Sequence, residues 1–149
     1  MRAAALERFT ETDAVIAAAA VAALRPSAPI PGKLRKTEAP DALPLERNPD
    51  ILADLGARKT RQRLIGFAAE TGDDPIAAGR EKLRAKRLDL IVVNRAAGEH
   101  DAFGGEQAEV WLVDAGGGVE HLDRRPKAHV AARIMERLEA LLDGEENRG

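Results

Sequence analysis

The chain has 149 residues and a mass of 16.0 kDa, a length that suits one domain. With no cysteine, 3% aromatic residues and a net charge of −2, it excludes disulfides, thiolate catalysis and Cys-ligated zinc. The same figures argue against nucleic acid as a partner, whether bound by stacked aromatics or by bulk positive charge. The longest apolar run, Ala14 to Leu24, has 11 residues. A bilayer needs ~20, so no membrane association is expected and the expected location is cytoplasmic.

Arg2 to Phe9 reads as a short alanine-rich helix. Asp13 to Ala20 (DAVIAAAA) is an apolar run without helical periodicity and reads as a buried strand. Leu24 to Ala39 carries Pro26, Pro29, Pro31, Gly32 and the basic cluster Lys33-Leu34-Arg35-Lys36, which predicts a long loop. Structureless loops beyond ~12–15 residues in compact domains are commonly functional. Ala42 to Glu46 can form a short strand. Asn48-Pro49-Asp50 predicts a helix start, with Asn48 as N-cap and Pro49 at the first helical position.

Arg63 to Ala69 (RLIGFAA) predicts another buried strand. Asp74-Pro75 repeats the cap-plus-proline start, for a helix reaching about Lys86. Leu88 to Asn94 (LDLIVVN) is the clearest strand of the chain. Ala96 to Gln107 reads as a loop. Glu109 to Asp114 and Gly118 to Leu122 flank Ala115-Gly116-Gly117 as a hairpin. A last helix from about Pro126 to Leu142 places Val130, Ile134, Leu138, Leu141 and Leu142 on one stripe. Strands alternating with helices imply a three-layer α/β domain: a mostly parallel sheet, helices on both faces, and the closing hairpin as an antiparallel edge.

In such sheets ligands sit beyond the carboxyl ends of the strands. Four segments fall there: the loop after Ala20, Asn48-Pro49-Asp50, Phe67 to Thr71, and Asn94 with the loop behind it. The helix start at Asn48 to Asp50 could hold an anion on free N–H groups. Of the six lysines, Lys82 and Lys86 stand four apart on one helix, either answered by an anion or solvated beside Glu81 and Asp89. Lys33 to Lys36 suits a polyphosphate or simply a soluble loop. His100, His121 and His129 have no metal-site spacing, and no metal ligands are expected. Ser27, the single serine, is in no nucleophile elbow. There is no P-loop and no G-x-G-x-x-G.

The same residues resemble a known family. Ala18-Ala19-Ala20-Val21-Ala22-Ala23-Leu24-Arg25-Pro26 resembles A-A-A-V-A-D-[YW]-R-P, and Lys33 to Lys36 resembles K-I-K-K. Asn48-Pro49-Asp50-Ile51-Leu52 matches N-P-D-I-L, and Gly66-Phe67-Ala68-Ala69-Glu70-Thr71 matches G-F-A-A-E-T. Lys82-Leu83 through Lys86, Leu88-Asp89-Leu90-Ile91-Val92 and Asn94 match K-L-x-x-K-x-L-D-[LM]-I-V-x-N. The pattern is that of the phosphopantothenate–cysteine ligase (phosphopantothenoylcysteine synthetase) domain of bacterial coenzyme A biosynthesis. That domain is usually the second half of a bifunctional flavoprotein. The resemblance runs from about residue 10 to residue 140.

The resemblance implies a Rossmann-like domain over residues 1–143, the C-terminal portion of a CTP-binding ligase, with 144–149 as a disordered tail. It implies CTP-dependent ligation of 4′-phosphopantothenate and cysteine through an acyl-cytidylate, with Mg2+ accompanying the triphosphate. Ala17, Ala18, Ala19, Pro49, Asp50, Ile51 and Leu52 would line the nucleotide, largely through backbone. Phe67 would pack on it, Lys82 and Lys86 would meet its phosphates or ribose, and Lys33 would be the catalytic lysine that assists turnover of the acyl-cytidylate. A homodimer is expected.

The sequence departs from the pattern in three places. The family's Gly-rich opening segment and N-H-S-S-G motif, its first βα unit, have no counterpart in these residues. Ala23 stands where A-V-A-D has Asp, and Arg95 where A-N-D-V has Asp. A separate chain supplying the missing half, or a non-catalytic nucleotide-binding relative, is the alternative expectation.

Overall fold

Three apolar runs of the sequence lie side by side and point the same way. They are β1 (Ala14–Ala17), β4 (Arg63–Glu70) and β5 (Leu90–Arg95), paired in parallel as Ile16 to Ile65 and Phe67 to Val92. The hairpin β6 (Gln107–Asp114) and β7 (Val119–Pro126) adds two antiparallel strands, giving the order β1-β4-β5-β6-β7. The computed structural model describes residues 1–29, 31–33, 35, 40–95 and 105–146.

The period of two along each strand sorts the core into two halves. Leu64, Ala68, Ile91, Val93 and Val113 face one way, against Phe9, Leu55 and Leu83. Those three come from the helical side: α1 (Arg2–Arg8) with the 3-10 turn Phe9–Glu11, α2 (Ile51–Arg58) and α3 (Pro75–Ala85). Ile65, Leu90, Val92, Val110 and Leu112 face the other way, against Val130, Ile134 and Leu138 of α4 (Lys127–Glu146). The result is the expected three-layer, Rossmann-like α/β arrangement with an antiparallel closing hairpin.

Five local readings differ. The buried strand read over Asp13 to Ala20 is only β1, with no buried residue and Ile16 38% exposed, and residues 18–20 leave the sheet as exposed loop because no strand covers that edge. The segment from Leu24 is no simple loop: β2 (Leu24–Pro26) pairs antiparallel with β3 (Leu45–Arg47) in a separate two-stranded ribbon. The cap of α2 is Asp50, whose carboxylate accepts from Ala53 N–H at 3.0 Å, and Pro49 precedes the cap. Asp89 is not a solvated neighbour of Lys82 and Lys86. It is buried at the amino end of the sheet, where Lys59 Nζ reaches it at 2.7 Å. Finally, α4 runs past Leu142 to Glu146, so 144–146 are helical. Residues 147–149, and residues 96–104 of the loop predicted after Asn94, lie outside the described residues.

The hairpin turns on Gly117, whose φ of +95° favours glycine, while Asp114 accepts from Gly118 N–H at 2.9 Å. Asp114 and Glu120 also tie the hairpin to α4. Arg137 Nη2 meets Asp114 Oδ2 at 2.6 Å, and Arg133 Nε meets Glu120 Oε1 at 2.6 Å. The Arg133 hydrogen bond holds Glu120 below its ordinary value. For Asp114 burial pushes upward, but Gly118 N–H and Arg137 outweigh it and the net shift is also down. A carboxyl depressed in the folded state contributes stability above its unfolded pKa and loses it as pH falls through the folded one. Urea unfolding midpoints should therefore fall as pH drops from the usual carboxylate range, near 4, towards 2. Glu120→Gln should flatten that slope; an unchanged slope counts against the pairing.

Candidate functional site

The carboxyl end of β1 opens into a cleft of about 740 Å³. One wall is the alanine loop, residues 18–23. The other is the run from Arg47 to Leu52 at the start of α2. Phe67 and Lys86 close it. A second groove of about 530 Å³ lies on the α4 side, reaching Asn94 and Lys127, and shares Ala17 to Ala20 and Phe67 with the first. The sheet sets this geometry. Parallel register brings the ends of β1 and β4 together, and Phe67, 41% exposed, stands where the two spaces meet.

Ala17, Ala18, Ala19, Pro49, Asp50, Ile51, Leu52, Phe67 and Lys86 thus share one cleft. The two lysines of α3 separate. Lys86 Nζ lies 2.8 Å from Asp50 Oδ2 across the cleft, whereas Lys82 is not a lining residue and pairs with Glu70 at the end of β4. Each cation is answered by a carboxylate of this chain. Lys33 is exposed and does not line the cleft. Its neighbours Leu34 and Lys36 lie outside the described residues.

Two of the N–H groups that the sequence leaves open at the helix start are already taken. The Asp50 carboxylate already receives Ala53 and Leu52 N–H. Burial pushes the Asp50 carboxyl up, yet Lys86 and those amides hold it below the usual range. An incoming anion must compete with Asp50 for Lys86 and for the helix N-terminus. A ribose hydroxyl, by contrast, could donate to Asp50 while accepting from Lys86.

Sequence reasoning missed two parts of the site. Asn48 does not cap α2; its Nδ2 donates to Ala22 O at 2.7 Å in the opposite wall. Met1 and Ala5 of the first helical segment also reach the cleft. No local pattern signals either, since both depend on how the chain returns. Of the histidines, His121 stacks on Trp111 at 4.9 Å between ring centroids, on the hairpin and away from the cleft. His100 lies outside the described residues. Among the described residues, no group of three or more His, Asp or Glu is placed to hold a metal ion, and no helix is long and apolar enough to cross a membrane.

A mixed, mostly parallel sheet between two helical layers, with a cleft beyond the carboxyl ends of β1 and β4, defines the class: a Rossmann-like α/β domain. Residues 1–142 match the family described as DNA/pantothenate metabolism flavoprotein C-terminal domain, and the chain belongs to that family. It is 38% identical over 141 residues to the coenzyme A biosynthesis bifunctional protein CoaBC of Bacillus subtilis (strain 168), covering 95% of this chain and 34% of that protein. It is 34% identical over 143 residues to a cysteine/cysteine sulfinic acid decarboxylase of an unknown prokaryotic organism, covering 95% and 40%. The chain therefore spans between a third and two fifths of these relatives. Among solved structures, the C-terminal domain of CoaBC superposes with a TM-score of 0.75 at 31% identity, covering 96% of this chain and 61% of that one.

Proposed function

We propose that this chain contributes the CTP-binding portion of a phosphopantothenate–cysteine ligase in coenzyme A biosynthesis, a cytoplasmic activity. One observation carries the reading. Residues that match the family's motifs, from Ala18 to Ala22 and from Asn48 to Leu52 with Phe67 and Lys86, converge on a single cleft although they are far apart in sequence.

In this reaction a carboxylate oxygen of 4′-phosphopantothenate attacks the α-phosphorus of CTP, and pyrophosphate leaves. The cysteine amine then attacks the acyl carbon, and CMP leaves. Negative charge builds on the phosphates in the first step, and fixed cations stabilise it. Lys86 serves that role or holds the ribose, Lys82 would do so once free of Glu70, and Lys33 would assist turnover of the acyl-cytidylate. Mg2+ would come with the triphosphate, held by phosphate oxygens, since the described residues offer no cluster of protein ligands.

Ala23 in place of the motif's Asp favours a second reading, a relative that binds nucleotide without turning it over. Two measurements separate the readings. Pyrophosphate release from CTP, 4′-phosphopantothenate and cysteine supports the ligase. Thermal stabilisation by CTP without release supports the binder. No stabilisation at all overturns both. Lys86→Ala should weaken CTP binding roughly tenfold, the scale of one charged hydrogen bond; unchanged affinity would remove Lys86 from the site.

A partner belongs to the same proposal: a second copy of this chain, with or without a chain bearing the family's N-terminal motifs. The support is β1, which ends the sheet, carries no charged side chain and holds Ile16, 38% exposed, next to the β4 residue Phe67 at 41%. β7, at the opposite edge, carries Glu120, Asp123, Arg124 and Arg125, the usual guard against edge pairing. Sedimentation at micromolar concentration tests the dimer, and a monomer there counts against it.

A further inference from the structure

We infer that Asn48 is a positioning residue: its side chain fixes the alanine loop, residues 18–23, against the start of α2 and so sets the spacing of the two cleft walls. The effect on a ligand rests on the nucleotide reading above; the clamp itself rests on geometry alone.

The loop needs an anchor. Residues 18–23 are all exposed, and their side chains are alanine and one valine, so packing does little to hold them. Ordering such a segment costs conformational entropy, which hydrogen bonds must offset. Inside the loop, Val21 N–H donates to Ala19 O at 3.1 Å. Across to the other wall, Asn48 donates twice. Its Nδ2 reaches Ala22 O at 2.7 Å and its backbone N–H reaches Ala23 O at 2.9 Å.

Asn48 is well placed to act as a joint. On one side Arg47 pairs with Leu24 in the ribbon. On the other, Pro49 fixes its own φ, and Asp50 caps α2 through Ala53 N–H. The clamp therefore links the ribbon, the loop and the helix start. Its chemistry is specific. Ala22 presents a carbonyl, so position 48 must offer a donor, and a carboxylate there would set oxygen against oxygen. A wall of alanines can recognise a ligand only through its backbone and methyl groups. Its recognition depends on where the backbone sits, and sub-ångström placement matters in such sites.

The test uses the whole 149-residue chain with Asn48→Ala and Asn48→Asp. Three quantities are read: CTP affinity by calorimetry with Mg2+, the melting temperature, and amide hydrogen exchange over residues 18–24. N48A should weaken CTP about tenfold while melting within a few degrees of the parent. N48D should be weaker still near pH 8. It should approach N48A near pH 4.5, as the introduced carboxyl takes a proton and becomes a donor. Exchange over the loop should quicken in both variants. Parent-like exchange in N48A overturns the inference whether or not CTP binds. So does a lowered melting temperature with CTP affinity retained, which is the mark of a merely structural residue. If the parent does not bind CTP and the loop still loosens in N48A, the nucleotide reading falls and the clamp stands.

Discussion

Asp89→Ala is expected to lower the unfolding free energy by about 3 kcal/mol, at the lower end for breaking a buried ion pair. Asp89 is 8% exposed at the amino end of β5. Its Oδ2 receives Lys59 Nζ at 2.7 Å and Leu64 N–H at 2.7 Å, and its Oδ1 receives Arg63 Nη1 at 3.4 Å. Lys59 also donates to Arg87 O at 3.0 Å, and Arg63 Nε to Leu141 O at 3.1 Å. One carboxylate therefore joins the end of α2, the start of β4, the turn into β5 and the end of α4. Removing it leaves Lys59, a side chain only 14% exposed, with Arg87 O but no counter-charge, and the buried Leu64 amide short of an acceptor. Asp89→Asn keeps an acceptor for Leu64 and Lys59 but loses the charge and turns an NH2 towards Arg63, so its cost should be smaller, about 1–2 kcal/mol. The ion pair between Arg25 and Glu46, with side chains 54% and 45% exposed, is the contrast: Arg25→Ala should cost under about 1 kcal/mol. Urea denaturation ranks the three. An Asp89→Ala loss no larger than that of Arg25→Ala would show that the network does not hold the sheet.

What the sequence revealed follows the range of the forces involved. The strands from Arg63 and from Leu90 are legible because burial on both faces demands an unbroken apolar run, and that run is written locally. The stripe on α4 is legible for the same reason. The ribbon of β2 and β3 is not. Its three-residue strands leave Leu24 and Leu45 about half exposed, so no burial pattern marks them, and pairing between segments distant in sequence, such as Arg25 with Glu46, creates them. The helix start shows the limit more closely. Asn48 and Asp50 are both good caps, and local preference ranks Asn48 first because Pro49 follows it. A distant carbonyl, Ala22 O, takes the Asn48 side chain, and Asp50 caps instead. The cleft was legible as a set of segments at strand ends. Its electrostatics were not, because Glu70 and Asp50 reach Lys82 and Lys86 only through the fold.

Gly56→Ala should also cost about 3 kcal/mol, although helix propensity alone favours alanine by ~1 kcal/mol. The sign is decided by a close approach. A Cβ on Gly56 would lie 1.9 Å from Lys86 O and 2.9 Å from Lys86 C. Both are backbone atoms at the end of α3, and backbone cannot swing aside as a side chain tip does. The helices must move apart, and α2 cannot move alone, because Leu55 is buried in the core and Ile51 and Leu52 pack against it. Overpacking of this kind costs about 1–3 kcal/mol or more, which outweighs the propensity gain. Gly144 supplies the control. It lies in α4 with nothing within 4 Å of the added Cβ, so Gly144→Ala should be neutral or stabilising by up to ~1 kcal/mol. Melting temperatures of the two variants should therefore move in opposite directions or differ widely. The same contact joins stability to the cleft. The carbonyl that Gly56 admits belongs to Lys86, whose ammonium meets Asp50 across the site, so any shift that relieves the clash displaces that pair. On the nucleotide reading, Gly56→Ala should weaken CTP stabilisation beyond its loss of stability, and Gly144→Ala, with nothing near its added Cβ, should not. Equal CTP responses in the two variants would mean that the packing of α2 on α3 does not set the position of Lys86.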